Sequence, residues 1–201
     1  MPDYSLEKEL HDKGYDIVCG VDEAGRGPLC GPVYAAACIL PDGLVIEGLN
    51  DSKKLTEKKR EKLFDVIKAE AVAYCIAYAT VEEIDELNIL EADLLAMRRA
   101  IDGLSIKADV ALIDGNISRD FQIPAIAVVK GDAKSMNIAA ASVLAKVARD
   151  RACIELDRQY PQYNIAKHKG YGTKDHMDAL RKYGPSPIHR KKFIRFLDEE
   201  K

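Results

Sequence analysis

No apolar stretch of this chain approaches the ~18 residues that a membrane-spanning helix requires, so no membrane association is expected. The first thirteen residues carry Asp3, Glu7, Lys8 and Glu9 around no apolar centre, which is not the make-up of a secretory signal. C-x-x-C pairs are missing, and the five cysteines (Cys19, Cys30, Cys38, Cys75, Cys153) are an odd number set mostly in apolar surroundings. That pattern excludes a zinc-ribbon spacing and a disulfide framework, and it reads as reduced core thiols of a cytoplasmic protein. His11, His168, His176 and His189 lack metal-binding spacing and are expected at the surface or against phosphates. Internal repeats, low-complexity tracts and long linkers are absent too. The 201 residues, 47% hydrophobic and 31% charged, therefore fit one domain over 1–201 with a full core.

An excess of positive charge is also lacking. The net charge is −3, which alone argues against a polyanionic partner. Its distribution argues the other way: residues 161–195 hold nine Lys/Arg against two Asp/Glu. A basic helical extension over about 161–201, packed on an acidic body, would present one basic face. A solvated pair of basic helices would have the same composition.

What the chain does contain is Gly20-Val21-Asp22-Glu23-Ala24-Gly25-Arg26-Gly27, directly after the apolar Ile17-Val18-Cys19. Two carboxylates at a strand end are placed to hold a divalent cation. The glycines let backbone approach a ligand, and an arginine grips phosphate. Alternation and turn residues predict strands over 16–21, 33–40, 71–79, 110–113 and 124–129. Helices are predicted over 56–69, after Thr80 and Asn88 (each with Glu three residues on), and over 135–159, 174–183 and 190–197, with a polar loop after Tyr160-Pro161. Early strands joined by short turns, followed by a helix-rich remainder, suggest an α/β protein with a mixed sheet flanked by helices.

Asp22, Asp114 and Asp132 share one syntax, an apolar strand followed by an acid with glycine nearby. Three such strand ends in one sheet converge on a crevice, and carboxylates with water and phosphate oxygen suit Mg²⁺ or Mn²⁺. Each Asp taken alone also fits a turn or cap residue.

Longer motifs narrow the reading. Asp22 to Pro28 followed by Gly31-Pro32-Val33, then Asp51-Ser52-Lys53-Lys54-Leu55, Asp114-Gly115-Asn116 and Lys130-Gly131-Asp132 resemble ribonuclease HII of the bacterial type. So do Ala139-Ala140-Ala141-Ser142-Val143-Leu144-Ala145-Lys146-Val147 with Arg149-Asp150, Lys169-Gly170-Tyr171-Gly172-Thr173, and Gly184-Pro185-Ser186-Pro187-Ile188-His189-Arg190. The resemblance runs in order from about residue 16 to 193. Cys30 and Asn137 depart from it, where Ala and Ser are expected. Asp132, where ribonuclease HIII has Glu, favours the HII type.

The resemblance implies a ribonuclease H-like fold: a five-stranded mixed sheet flanked by helices, with a helical C-terminal part. It implies a monomeric endonuclease that uses Mg²⁺ or Mn²⁺, in a two-metal site once substrate is bound. Its ligands would be Asp22, Glu23, Asp114 and Asp132, with Asp22 and Asp114 bridging or flanking the metals. Its substrates would be RNA/DNA hybrids and DNA duplexes with an embedded ribonucleotide, cut 5′ of the ribonucleotide to 5′-phosphate and 3′-hydroxyl ends. Its role would lie in ribonucleotide removal, replication and repair. Gly25, Arg26 and Gly27 would read the 2′-hydroxyl, and Tyr171 would pack on the next sugar. Lys53, Lys146, Lys167 and Lys169 are candidates for phosphate contacts.

Two other readings fit less of the chain. A P-loop hydrolase would need Lys and Ser/Thr where Arg26 and Gly27 stand, and two acids would repel its phosphates. A non-enzymatic nucleic-acid module would account for the basic segment but not for four acids.

Overall fold

The computed structural model describes residues 1–50, 52 and 55–199. Strands β1 (Val18–Ala24), β2 (Val33–Ile39), β3 (Ala73–Ala79), β4 (Val110–Asp114) and β5 (Ala125–Val128) form one sheet in the order β3-β2-β1-β4-β5. β1 is antiparallel to β2 and parallel to β4, so it is the seam between the two halves of a mixed sheet. β3 adds antiparallel to β2, and β5 adds parallel to β4.

Side chains alternate across the sheet with period two. On β2, Val33, Ala35, Ala37 and Ile39 enter one core, with residues of α3 (Val81–Leu87) and α4 (Ile89–Asp102). Ala36 and Cys38 enter the other, beneath α2 (Glu57–Glu70) and α5 (Met136–Gln159). The small run Ala139-Ala140-Ala141 is fully buried there, which brings the backbone of α5 close to the sheet. Contact is tightest at Gly20: a methyl group there would lie 2.2 Å from the Asn137 carbonyl carbon and the Ile138 nitrogen. Asn137 ties the same layers by hydrogen bonds. Its Nδ2 donates to the Val18 carbonyl (3.0 Å), and its Oδ1 accepts from the Leu40 amide (3.0 Å).

Several elements differ from the sequence expectation. β1 runs to Ala24, because β2 pairs with Asp22, Glu23 and Ala24 after the β4 pairing ends at Val21. Asp22 and Glu23 therefore lie within a strand, beyond only its parallel half. Helix α1 (Ser5–Asp12) was not expected from its charged sequence. Buried Glu7 anchors it, accepting from Ser135 Oγ (2.5 Å) and the Asn137 amide (3.2 Å) at the start of α5. Thr80 and Glu83 make the reciprocal capping box. Asn88 caps α4 without one, because Glu91 pairs with Arg119.

The segment expected as a polar loop contains a 3₁₀ turn, Pro161–Tyr163, and the short helix α6 (Ile165–His168), held by buried Tyr163 and Ile165. After α7 (Lys174–Tyr183) the expected helix over 190–197 is broken into a 3₁₀ turn, Lys191–Phe193, and α8 (Phe196–Glu199). The break follows from Arg190, whose amide donates to the Leu29 carbonyl and draws the chain across the 25–31 segment. Cys30, Cys153, Tyr163, Ile165, Leu180 and Ile194 pack together beneath these C-terminal elements. No helix among the described residues is long and apolar enough to cross a membrane.

The Gly20 contact is with backbone, which has little room to yield. Gly20→Ala is expected to lower unfolding free energy by about 3 kcal/mol, the upper part of the usual overpacking range, in urea denaturation. A loss below about 1 kcal/mol would show that the sheet and α5 separate easily there.

Candidate active site

The seam strand carries the first two acids. Asp22 faces the α5 side, where the Ser142 hydroxyl reaches it, and its Oδ1 accepts from the Glu23 amide (2.7 Å). Burial is the main force raising the Asp22 carboxyl well above the usual carboxylate range, and the charges of Glu23 and Asp114 add to it. The Ser142 and Glu23 hydrogen bonds oppose the rise. Glu23 points to the α4 side, where Arg26 Nη1 stands 4.0 Å from its Oε1 and Arg26 Nε stands 3.5 Å from Asp93 Oδ2. Asp93, on α4, is pushed up to about 8, chiefly by burial and then by Glu23, with Arg26 opposing.

β4 delivers Asp114 beside Asp22. Its Oδ1 accepts from the Gly131 amide (2.6 Å), which fixes the turn that carries the buried Asp132. No three of these four acids bring one oxygen each within 4.8 Å of one another; the His/Cys/Asp/Glu trio that does so among the described residues is elsewhere. The donors are all carboxylate oxygens, the set preferred by hard divalent cations. Burying Asp22 next to two like charges leaves a deficit that a cation would offset.

A cleft of about 180 Å³ opens at Asp22. Glu23, Gly25, Arg26 and Gly27 line it together with Ser142, Lys146 and Arg149 of α5 and Tyr171. A methyl group at Gly27 would lie 3.5 Å from Tyr171 Cε1, so the turn and the ring face each other closely. Tyr171 is about half exposed. Ser52 Oγ and Ser142 Oγ are hydrogen-bonded 2.7 Å apart beneath the cleft.

Lys146 lines this cleft and pairs with Asp150 at 2.6 Å. Lys167 and Lys169 do not line it. Lys167 pairs with Asp175 (2.6 Å), and Lys169 stands 3.8 Å from Glu57. Lys53 lies outside the described residues.

The turn is held by Arg190 and packed on by Arg149, two residues without an expected role. Arg190 is fully buried and has no carboxylate partner among the described contacts. Its Nη2 donates to the Gly25 carbonyl (2.7 Å), Nη1 to those of Arg26 and Pro28 (2.9 Å each) and Nε to that of Gly31 (2.9 Å). Burial, with the charge of Arg149, lowers its pKa to about 10. Arg149 Nη2 donates to the Lys169 carbonyl (2.7 Å), and its guanidinium lies 5.7 Å from the Tyr171 ring centre. A side chain at Gly25, whose φ is +105°, would meet Arg149 Nε at 2.2 Å. Only partners far apart in sequence reveal these roles. The one local hint is that Arg190 sits in a proline-bounded turn, a poor setting for a solvent-facing cation.

His176 and His189 also correct an expectation. Both are buried, against each other, rather than placed at the surface. His168 stacks on His176 with ring centres 4.4 Å apart, and His11 stands 3.4 Å from Asp42.

A mixed five-stranded sheet with acids on its central strands, flanked by helices, defines a ribonuclease H-like nuclease. The solved ribonuclease H2 from Pyrococcus horikoshii OT3 superposes with a TM-score of 0.75 at 30% identity, covering 91% of this chain and 97% of that one. The sequence model described as Ribonuclease HII matches residues 19–196. Ribonuclease HII of Caldanaerobacter subterraneus subsp. tengcongensis is 55% identical over 188 residues, 94% of this chain and 78% of the relative. That of Caldicellulosiruptor bescii is 51% identical over 192 residues, 96% of this chain and 93% of the relative. The chain belongs to the ribonuclease HII family, and it is accordingly a ribonuclease H, a metal-dependent endonuclease of the hydrolase class.

Arg190→Lys keeps the charge but cannot reach four carbonyls with one fork. It is expected to cost roughly 3 kcal/mol in urea denaturation, because buried carbonyls lose charged donors. Unchanged stability would mean that water replaces the guanidinium at no cost.

Proposed function

We propose that this chain hydrolyses the RNA strand of RNA/DNA hybrids and cuts on the 5′ side of a ribonucleotide embedded in duplex DNA, leaving 5′-phosphate and 3′-hydroxyl ends, as ribonucleotide removal in DNA replication and repair requires. The observation that carries this reading is that the Gly25-Arg26-Gly27 turn and Tyr171 stand side by side in the cleft that begins at Asp22. Arg190 draws the carbonyls of Gly25 and Arg26 inward, which turns the amides that follow them the other way, where they would address a sugar hydroxyl. Tyr171 offers a ring to the neighbouring sugar, where a 2′-hydroxyl would crowd it. This arrangement distinguishes RNA from DNA at the one atom by which they differ.

Asp22, Glu23, Asp114 and Asp132 would hold two Mg²⁺ or Mn²⁺ ions. When bound, such ions supply an activated water and stabilise the leaving 3′-oxygen. Ser142 and the Glu23 amide orient the Asp22 carboxylate toward the cleft. Lys146 is positioned to meet a substrate phosphate in the cleft. Lys167 and Lys169, on the basic C-terminal segment, would meet phosphates of the duplex further out.

Asp22→Asn and Asp114→Asn each remove a ligand charge with little change of shape. Cleavage in saturating Mg²⁺ should fall by orders of magnitude. Asp22→Asn should also melt no lower than the parent at neutral pH, because it removes a buried, repelled charge. Near-parental cleavage by either variant would remove that residue from the ligand set.

Specificity is tested on end-labelled duplexes with one ribonucleotide, with an all-RNA strand and with none. The parent should spare all-DNA duplex by a factor on the order of 10⁴, the discrimination reached when a site hydrogen-bonds a hydroxyl. Tyr171→Ala should lose most on the single-ribonucleotide duplex. Equal cutting of all three duplexes by the parent would refute the proposed reading of the 2′-hydroxyl.

A further inference from the structure

Behind the cleft, three side chains from distant parts of the chain meet. Cys30 follows the glycine-arginine turn, His176 lies in α7, and His189 precedes Arg190. Each offers one ligand atom, and these atoms all lie within 4.8 Å of one another. All three are buried, at 1%, 0% and 3% exposure. The surrounding backbone holds them in register. Cys30 and His189 form an isolated antiparallel bridge, and the Leu29 amide donates to the Gly170 carbonyl. Nothing in the proposed nuclease chemistry uses this cluster, and its linear spacing conceals it.

We propose that Cys30, His176 and His189 form a binding site for Zn²⁺, distinct from the carboxylate site for Mg²⁺ or Mn²⁺. One thiolate and two imidazoles make a donor set that borderline-soft ions favour and hard ions do not. The two Nε2 atoms stand 3.1 Å apart, near the edge of about 3.3 Å between two nitrogens of a zinc tetrahedron.

The outer contacts are those of metal-ligating imidazoles. His176 Nδ1 faces the Tyr171 carbonyl at 3.0 Å, which fixes its proton there and turns the Nε2 lone pair inward. His189 Nδ1 faces the Ser186 hydroxyl (3.0 Å), carbonyl (3.3 Å) and amide (3.1 Å). Without metal, the amide donates to Nδ1, and Nε2–H bridges to His176. With metal, that proton moves to Nδ1, where the hydroxyl or carbonyl of Ser186 accepts it. The thiol proton is then the only one released. Burial, then Cys153, pushes the Cys30 thiol up to about 12 against the opposing charges of Arg149 and Arg190, so the ion itself must displace the thiol proton. His189 also borders a surface cleft of about 520 Å³, which gives an ion and a fourth, water ligand a way in. A bound ion would join the 25–31 turn, the Tyr171 loop and the 186–190 turn at one point.

The test titrates the reduced, chelator-treated full chain with Co²⁺ in excess Mg²⁺, so that the carboxylates are occupied. One equivalent of Co²⁺ should produce a thiolate-to-cobalt charge-transfer band, which one equivalent of Zn²⁺ bleaches. Cys30→Ala should abolish the band, and His189→Gln should weaken Co²⁺ binding by about 100-fold or more, beyond what loss of an outer contact causes. Cys153→Ala, which alters a neighbouring buried thiol, should keep the band. Zn²⁺ should raise the melting temperature of the parent and leave that of Cys30→Ala unmoved. Absence of the band in the parent, its survival in Cys30→Ala, or its loss in Cys153→Ala would each overturn the assignment.

Discussion

The guanidinium of Arg190 organises the turn on which the cleft is built. Four carbonyls, those of Gly25, Arg26, Pro28 and Gly31, converge on a single buried cation. Carbonyl oxygens that point into a protein need donors, and a short irregular segment has no ladder to supply them. Placing a cation among dipoles instead of a carboxylate leaves the acids of the site free of this charge. It also commits the end of the chain, because Arg190 lies beyond α7. The C-terminal segment is thus part of the cleft wall although it contributes no strand.

A second constraint acts from the opposite side. β1 changes partner type within seven residues, parallel to β4 as far as Val21 and antiparallel to β2 as far as Ala24. Asp22 sits where the parallel pairing stops, so one flank of the strand is open at that residue. The close approach of α5 at Gly20, with the hydrogen bonds of Asn137, sets the height of the helix over the sheet. That height puts Ser142 within reach of Asp22 and Lys146 one turn further along the cleft.

The strands and long helices were legible from local signals: β4 as an apolar run, α3 and α4 through capping residues, α2 through its apolar side, α5 through its small residues. The acids were legible because they follow those strands. What escaped was set by contacts across the chain. β1 is longer than its apolar run because β2 supplies partners for Asp22 to Ala24. α1 exists because Glu7 meets the start of α5, a pairing 128 residues apart. The expected C-terminal helix gives way because Arg190 is drawn to a turn 165 residues earlier. The meeting of Cys30, His176 and His189 was not legible either, since spacing along the chain carries no information about segments that meet only in space.

Gly25 and Gly27 differ in one respect that bears on how such a cleft diversifies. Any side chain at Gly25 runs into Arg149 and demands an unfavourable φ, so this corner of the wall is frozen. At Gly27 an added methyl meets only the edge of Tyr171, at ordinary packing distance. The cleft therefore has one immovable jaw and one adjustable jaw. Sequence drift can retune its width through residues 27 and 171 while the reference edge at residue 25 stays where the two buried arginines hold it.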